Sequence, residues 1–504
     1  MKKSIRALLI MLAVLVVVGG GAAALLLTQP DTASEESSSS TSVSTEEVIN
    51  RETEEISSVS VTNPNASFVV VPVDQETTTS SEEDSSSSST STQFTIEGYE
   101  GFDLNTSSVT GAVDTVVSIY ASKNLGEQED LEQYGLTGDA ATTVEVQYTD
   151  GTSDELVVGN EAGESAGRYI LKDGIVYISS SFSGALLETP LYFVNTEIYS
   201  VADRTEETVD SEGSSSTTTL SDVLYHMELS GTHLEQPIVI DYDESKISTY
   251  LITQPIVAES GSNTFTEIVT ALKSLTVDSA VAVGRTQETL EQYGLAEPYA
   301  QIVFDMNGED HTLAVSAADS EGNRYLIADD NDVVYQVTSS TVDSWAEAEL
   351  LDLRMSYVWL PNIKDVSAMI LTTGDGTEYR FDVERVVNEE ESTEDETEYD
   401  LVVTNGDGQS VDYENYQDFY QLALSQAVLS TDTVEYSQED LTLEITYEYF
   451  DGSEADVITY CAVPDQEQRL AALLNGGYSG MVRRSEVESL IESLTQVYEN
   501  QAIE

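Results

Sequence analysis

The chain has 504 residues, of which 93 are acidic and 19 basic, giving a formal net charge of −74. This balance excludes nucleic-acid binding, which needs Lys and Arg to replace phosphate counterions, and it disfavours docking onto anionic lipid. The length predicts several domains. The single cysteine, Cys461, allows no intramolecular disulfide, as is common in exported proteins of Gram-positive bacteria, and we interpret it as a buried small apolar side chain.

The N-terminus has the pattern of a membrane anchor. Lys2, Lys3 and Arg6 precede an uncharged apolar stretch over residues 7–27. As a helix, this stretch would span roughly 31 Å, about one hydrocarbon thickness. The positive-inside rule then predicts a cytoplasmic tip at 1–6, a transmembrane helix at 7–27 in contact with the lipid bilayer, and an extracellular remainder in a single-pass cell-membrane protein. A cleaved signal peptide is the alternative.

Residues 28–93 are rich in Ser, Thr, Glu and Asp, a composition that cannot build a core. We therefore predict a disordered stalk over 28–93. The apolar segment 68–73 is an exception within it. That segment could join a sheet as an edge strand of this protein or of a partner, or it could be unstructured.

The strongest internal signal is a repeated hexapeptide, Leu-Glu-Gln-Tyr-Gly-Leu, at 131–136 and 290–295. Each copy is preceded by a helical apolar pattern and followed by four strand-like segments in the same order. The pattern predicts an α+β fold, in which modules of antiparallel β-meander with flanking helices repeat. The candidate repeat-motif residues are Leu131, Tyr134, Gly135, Leu136, Leu290, Tyr293, Gly294 and Leu295.

The repeat sets the predicted domain boundaries. Module 1 spans 94–200, a linker spans 201–222, and module 2 spans 223–364. Residues 365–504 repeat the same order of elements more weakly and form a degenerate module 3 without the Tyr-Gly-Leu motif. Two polar stretches, 206–219 and 388–398, are predicted to be loops. The period of about 150 residues indicates domain duplication, since solenoid repeats run to about 20–50 residues.

We assign the Tyr-Gly-Leu motif a structural role. Gly135 and Gly294 each follow a short predicted helical turn, where glycine can adopt positive φ and end the helix. The next residue, Leu136 or Leu295, would then enter the module core. A ligand-binding role for the motif is the alternative.

Few residues suggest chemistry. Residues 163–167 match the G-x-S-x-G nucleophile elbow, with Ser165 in the central position, but they lie between two predicted strands where the elbow needs a strand-to-helix turn. His226, His233 and His311 lack the spacing of a zinc helix. The acidic run 329–332 departs from the EF-hand pattern, so weak calcium binding stays open and we expect no cofactor and no catalytic or metal residues.

The Leu-x-x-Tyr-Gly-Leu motif, the Arg-Tyr strands at 168–169 and 324–325 and the Val-Tyr strands that follow them resemble the bacterial family called domain of unknown function 4340. The resemblance covers about 113–195 and 265–355, and 413–495 in outline. It implies an N-terminal membrane anchor and an association with ABC-type transport systems. The family's proline is present at Pro298 in the second copy, 295–298, whereas the matching run in the first copy, 136–139, has Asp139 there. The resemblance supplies no catalytic residues.

These observations favour a non-enzymatic, membrane-anchored, extracytoplasmic interaction protein, accessory to an ABC-type transport or cell-envelope complex. The partner would be a membrane complex or the cell wall. A surface protein that binds cell-wall glycan is the alternative, and a serine hydrolase using Ser165 is a remote one.

Overall fold

The computed structural model describes residues 45–73, 92–163, 167–209, 215–388, 392 and 397–503. The predicted cytoplasmic tip, the predicted transmembrane helix at 7–27 and the first part of the predicted stalk lie outside these residues. In the described part of the chain, no helix is both long and apolar enough to cross a membrane. This finding contradicts the prediction of a single-pass membrane location, which is therefore wrong.

The described chain forms three large antiparallel sheets of nine, nine and eight strands. In the first sheet the strand order is β1-β5-β9-β8-β7-β6-β2-β3-β4. Its strands are β1 Glu46–Asn50, β2 Ile56–Thr62, β3 Ser67–Pro72, β4 Phe94–Ile96, β5 Ser118–Gly126, β6 Thr142–Tyr148, β7 Ser153–Glu161, β8 Arg168–Lys172 and β9 Ile175–Ser179.

Three short strands follow the first sheet: β10 Glu197–Ser200, β11 Thr205–Val209 and β12 Ser215–Thr219. The second sheet has the order β16-β15-β14-β13-β19-β20-β21-β22-β18. Its strands, with β17 outside the sheet, are β13 Leu224–Ser230, β14 Ile238–Tyr242, β15 Tyr250–Gln254, β16 Ala258–Glu259, β17 Ser274–Thr276, β18 Ser279–Val283, β19 Ala300–Met306, β20 Glu309–Val315, β21 Asn323–Ala328 and β22 Val333–Thr338.

The third sheet has the order β26-β25-β24-β23-β27-β28-β29-β30. Its strands are β23 Val366–Thr373, β24 Glu378–Val387, β25 Tyr399–Asn405, β26 Ser410–Val411, β27 Leu441–Tyr449, β28 Asp456–Ala462, β29 Arg469–Leu474 and β30 Gly477–Arg483. The α-helices are α1 Thr106–Val117, α2 Asn263–Ala271, α3 Gln287–Gln292, α4 Ser339–Ala346, α5 Leu350–Leu353, α6 Tyr413–Leu424 and α7 Arg484–Tyr498. Short 3-10 turns lie at Thr53–Glu55, Glu132–Tyr134, Gly138–Ala140, Gly184–Leu187 and Pro190–Phe193.

All three sheets share one topology. Each contains a three-stranded meander, then a helix, then a four-stranded meander whose first strand pairs with the first strand of the three-stranded meander, and further strands lie at the sheet edges. The joining pairs are β2 with β6, β13 with β19 and β23 with β27, all antiparallel. The helices begin at polar caps: the side chains of Asn105, Ser262 and Asp412 accept main-chain N–H bonds from the first turns of α1, α2 and α6.

The α+β prediction is wrong, because the fold is mostly antiparallel β-sheet. The strands carry most of the buried apolar residues, and the helices are short elements beside them. A sheet with one buried face has apolar residues at alternate positions, and this pattern dominates the sequence of each module. In β6 and β19, for example, buried residues alternate with less buried ones along the whole strand.

The stalk prediction is wrong for residues 45–73, because β1, β2 and β3 belong to the first sheet. The apolar segment 68–73 forms most of β3, which pairs with β2 on one side and β4 on the other. The predicted loop at 206–219 is also wrong, since β11 and β12 pair as an antiparallel hairpin within the predicted linker. These strands are polar, so their side chains gave no apolar alternation to detect.

Buried apolar residues form two main cores. One runs continuously through the first two modules, from Ile49 to Leu353. The second lies in the third module, from Val358 to Val497. Cys461 lies in a small neighbouring cluster and is fully buried, and burial raises the pKa of its thiol. The third module therefore has a core of its own.

Candidate interaction surface

The Tyr-Gly-Leu motif has the same conformation in both copies. Gly135 and Gly294 have φ of 68° and 69°. The N–H of Leu136 donates to the carbonyl of Leu131 at 3.2 Å, and that of Leu295 to Leu290 at 2.7 Å. This six-to-one hydrogen bond beside a left-handed glycine is a Schellman helix end. The leucine after each glycine is buried, at 3% and 2% exposure.

The motif tyrosines pack against the Arg-Tyr strands. The ring of Tyr134 lies 4.7 Å from that of Tyr169, and the ring of Tyr293 lies 4.7 Å from that of Tyr325. In the second module these rings and Tyr299 line a groove of about 280 Å³. The geometry therefore gives the motif a role in ending a helix and covering the sheet, with a small tyrosine groove beside the second copy.

The candidate catalytic segment, 163–167, lies between β7 and β8 in the chain. Its residues 164–166, Ser165 among them, lie outside the described residues. Gly163 and Gly167 at the ends of the segment have positive φ, and the N–H of Ala162 donates to the carbonyl of Gly167 at 2.8 Å. The next described element is strand β8, which begins at Arg168, whereas a nucleophile elbow leads into a helix.

The three histidines have three separate sets of partners. Nδ1 of His226 lies 2.7 Å from Asp241, Nδ1 of His233 lies 2.7 Å from the carbonyl of Tyr299, and Nδ1 of His311 lies 3.0 Å from Asp329. Across the described ranges, no group of three His, Cys, Asp or Glu side chains is placed to hold a metal ion.

The acidic run 329–332 is held by protein donors. Asp329 accepts the N–H of Thr312 at 2.7 Å, and Asp332 accepts the N–H of Arg285 at 2.5 Å. The guanidinium of Arg285 donates to the carbonyls of Ala328 and Asp329. This arrangement fixes the β21–β22 turn through its own side chains.

A cleft of about 790 Å³ lies between the second and third modules. The loop between β14 and β15 forms one wall, and the segment before β23 with the β27–β28 turn forms the other. The ammonium of Lys246 lies 5.0 Å from the centre of the Trp359 ring. Asp456 accepts hydrogen bonds from Trp359 Nε1 at 2.7 Å and the Tyr449 hydroxyl at 2.5 Å. The polar groups of the cleft therefore satisfy one another to a large extent.

A β-hairpin projects from the third sheet beside this cleft. We define the arm as residues 383–387 of β24 and 399–403 of β25, which pair with each other from Val383 with Val403 to Val387 with Tyr399. On the sheet side, β23 pairs with β24 only as far as Asp382. The arm thus extends past the strands that support the rest of the hairpin.

One face of the arm is anchored to the module. The guanidinium of Arg385 donates to the carbonyl of Lys364 and, at 3.2 Å, to Asp365. It also lies 4.1 Å from the centre of the Phe450 ring and 5.6 Å from that of Tyr399. Cation–π contacts of this kind stabilise by about 0.5–1 kcal/mol at exposed sites.

Both faces of the arm also present apolar side chains to solvent: Val387 and Tyr399 lie on the face of Arg385, and Val386 and Val402 lie on the opposite face. Twelve large hydrophobic side chains are exposed in the part of the chain that the structure describes, and four of them lie on the arm: Val386, Val387, Tyr399 and Val402. They are 42–51% exposed. Scattered single exposures are ordinary, but a cluster marks an interaction site or a liability.

Sequence analysis missed the arm. The strand of β24 runs on to Val387, directly beside the acidic stretch that was predicted to be a loop. The usable signal was the adjacent pair Val386-Val387 before that stretch and Tyr399 after it, since apolar residues flanking a polar turn are typical of a hairpin.

Comparison with known families settles the kinship of the chain. A family model described as Domain of unknown function (DUF4340) matches residues 95–254 and again residues 251–405, which together make up more than half of the chain. The chain belongs to the DUF4340 family. Searches of curated proteins and of solved structures returned no match. The two matches establish the repeat, and the family description gives no sign of an enzymatic activity.

The two DUF4340 matches are out of phase with the three sheets. The first begins at β4 and ends in β15, and the second begins in β15 and ends in β25. Each match therefore contains the helix and four-stranded meander of one sheet and the first three strands of the next. The arm occupies the same place at the end of the second match that β14 and β15 occupy at the end of the first.

Proposed function

We propose that this DUF4340 protein is a non-enzymatic binding protein that engages another protein through the arm. The clustering of four of the twelve exposed large hydrophobic side chains on ten residues of one projecting hairpin supports this proposal most directly. Clusters of exposed apolar side chains are typical of protein–protein interaction sites, and here two pairs lie on the two faces of one hairpin. A subunit of an ABC-type transport or cell-envelope complex would fit the role of partner.

The anchored face of the arm adds support. Arg385, in the middle of the β24 part of the arm, contacts Lys364, Asp365 and Phe450. These contacts hold the hairpin in place before a partner binds. A preformed element loses less conformational entropy on binding than a flexible loop would. The arm is therefore arranged as a rigid binding element.

Site-specific photocrosslinking tests the proposal. A benzophenone amino acid replaces Val402 in the full chain, and a matched chain carries it at Tyr192, which is 59% exposed in the first module. In the source cell, we expect a discrete crosslinked protein from position 402 and none of that size from position 192. The substitution Val386→Ser should weaken the crosslink from position 402. Identical products from both positions, or no product from position 402, would contradict the proposal.

Glycan binding is a second candidate, favoured by the groove that Tyr293, Tyr299 and Tyr325 line in the second module. Its volume of about 280 Å³ lies at the small end of ligand sites, so one sugar ring is the largest unit it suits. Co-sedimentation of the full chain with purified cell-wall glycan tests this candidate. Loss of binding in a Tyr325→Ala variant with unchanged binding in Tyr192→Ala would support it, and equal binding by both would refute it.

A further inference from the structure

The outer face of the arm combines apolar and acidic side chains in a fixed pattern. Glu384 lies opposite Val402, and Val386 lies opposite Asp400. Side chains two apart on a strand share a face, and directly paired residues share it too. All four side chains are exposed. The outer face is therefore a two-by-two checkerboard of valines and carboxylates.

The outer edge of β25 is open along the arm. The neighbouring strand β26 pairs only with Val403 and Thr404. Within the described residues, no strand pairs with Tyr399–Val402 on the side away from β24. Unpaired main-chain groups on such an edge can accept an added strand, and proteins normally block exposed edges unless they use them.

The negative charge of the outer face indicates which kind of strand would bind at the open edge of β25. Among the described residues, neither Glu384 nor Asp400 forms an ion pair, Asp400 accepts a hydrogen bond from the Asn388 amide at 3.1 Å, and Arg380 further along the same face pairs with Asp382 and Glu448. The chain carries a net charge of −74. A second copy of this chain would bring carboxylates against carboxylates, and like charges directly opposite one another destabilise a strand pair. A strand paired with β25 would instead place Lys or Arg directly beside Asp400, with Glu384 on β24 about one strand spacing further away, within reach of a long basic side chain.

We propose that the partner supplies a β-strand that pairs with the open edge of β25 and alternates basic and apolar side chains on one face. Main-chain hydrogen bonds would then hold the strand, and the checkerboard would select its side chains. This inference rests on the proposed function and names the partner class for the same surface.

Peptide binding to the full chain tests the inference. The probe is a labelled peptide, Thr-Lys-Thr-Val-Thr-Lys-Thr-Val-Thr, whose Lys and Val residues share one strand face. The control peptide replaces the two Thr residues that flank the second Lys with Pro, which keeps the charge and removes two N–H donors. Fluorescence anisotropy at physiological salt should give a Kd at least about tenfold lower for the probe than for the control. Equal Kd values would overturn strand pairing, since charge attraction alone would then explain binding.

Matched variants locate the site. Val386→Ser with Val402→Ser should raise the Kd of the probe about tenfold, and Glu384→Gln with Asp400→Asn should weaken the binding and flatten its salt dependence. The control pair Glu206→Gln with Glu207→Gln removes two carboxylates from β11, away from the arm, and should leave the Kd unchanged. Equal effects of the two acidic pairs would overturn the inference.

The proposal and the inference can fail separately. Crosslinks from position 402 without probe binding would leave the arm as an interaction site and overturn the basic-strand partner. Sedimentation that shows dimers of the full chain, lost in the Val386→Ser and Val402→Ser variant, would overturn it in favour of a second copy. Probe binding at the arm together with crosslinks to a protein that contains a matching basic strand would support both.

Discussion

The junction between the first and second modules differs in its contacts from the junction between the second and third. Between the first and second modules the apolar core is continuous, and β10 pairs with β17 across the boundary. There the ring of Tyr199 stacks on that of His311 at 4.0 Å. Between the second and third modules the cores are separate: Leu251 of β15 packs against the third core, and a buried polar contact crosses the junction. Arg354, only 2% exposed, donates to the main-chain carbonyls of Met355, Tyr357 and Ser479.

This difference predicts which modules unfold cooperatively. A shared apolar core makes the unfolding of one module expose the other, whereas a polar junction can open without exposing a core. We therefore expect the first two modules to unfold together and the third to open separately. The arm and the cleft both lie at the polar junction, where one module can move with the least loss of apolar contact.

The largest expected effect is the loss of Arg354. Its guanidinium has carbonyl partners, and burial lowers its pKa to about 10, so it stays charged at neutral pH. Arg354→Met leaves the buried Ser479 carbonyl and two part-buried carbonyls without this donor, and we expect the free energy of opening of the third module to fall by about 3 kcal/mol. Hydrogen exchange at Val428 and Leu429, whose N–H groups bond to Ser356 and Met481, measures this opening.

The control for Arg354 is Arg483→Met, since that side chain is 60% exposed. Its loss should change the free energy of opening by less than about 0.5 kcal/mol. If Arg354→Met speeds exchange in the first module as much as in the third, the division into separate units is wrong.

A somewhat smaller effect is expected at the apolar junction. The Tyr199 ring packs on His311 and lies 6.1 Å from the Phe304 ring, so Tyr199→Ala should lower the free energy of unfolding of the first two modules by about 2 kcal/mol. Urea denaturation followed by Trp345 fluorescence in a Trp359→Phe background measures it. Tyr192→Ala, an exposed tyrosine in the first module, should have almost no effect. Similar shifts for the two variants would mean that the junction contributes little.

The cores differ as well as the junctions. The third core contains the fully buried Tyr416, Tyr420, Tyr447 and Tyr460, whereas the shared core of the first two modules is mainly aliphatic. The Tyr420 hydroxyl donates to the carbonyl of Pro361 at 2.8 Å. The Tyr447 hydroxyl has no hydrogen-bond partner among the residues described.

Two substitutions measure how much each of these hydroxyls contributes to stability. Tyr420→Phe should lower the free energy of unfolding of the third module by about 1 kcal/mol, because it leaves a buried carbonyl without its donor. Tyr447→Phe should leave that free energy unchanged or raise it by up to about 1 kcal/mol, because it removes a buried polar atom that lacks a protein partner. Urea denaturation followed by Trp359 fluorescence compares them. A larger loss for Tyr447→Phe would show that its hydroxyl is bonded in solution.

Sequence reasoning succeeded where a local pattern carries the structure. The hexapeptide at 131–136 and 290–295 predicted the repeat, and alternation of apolar residues predicted the meanders. It failed where pairing is non-local. Strands β1 and β2 resemble the polar stretch around them in sequence. Their strand structure depends on pairing with β5 and β6, which lie far along the chain, so no local pattern indicates it. The arm was missed for the same reason: its exposure depends on where β23 and β26 end.

The smallest expected effect tests whether residues 45–73 dock as part of the first module. Hydrogen bonds from Thr152 and then from Arg51 lower the pKa of Asp150 to about 2, against an ordinary 3.8. Since the folded-state pKa is depressed, the stability from Asp150 is fully present above about pH 3.8 and is lost as the pH falls through about 2. Because Asp150 is solvent-exposed, the effect on stability is small, and an NMR titration of its carboxyl carbon is the direct measurement.

Two variants assign the cause of this shift. Thr152→Val should raise the pKa of Asp150 more than Arg51→Gln does, because Thr152 supplies the larger contribution. Arg51→Gln should still raise it, since the Arg51 guanidinium lies 3.0 Å from the Asp150 carboxylate. If Arg51→Gln leaves the pKa of Asp150 unchanged, the segment joining β1 to β2 does not reach the β6–β7 turn. The first module would then lack the N-terminal strands that the stalk prediction had left out.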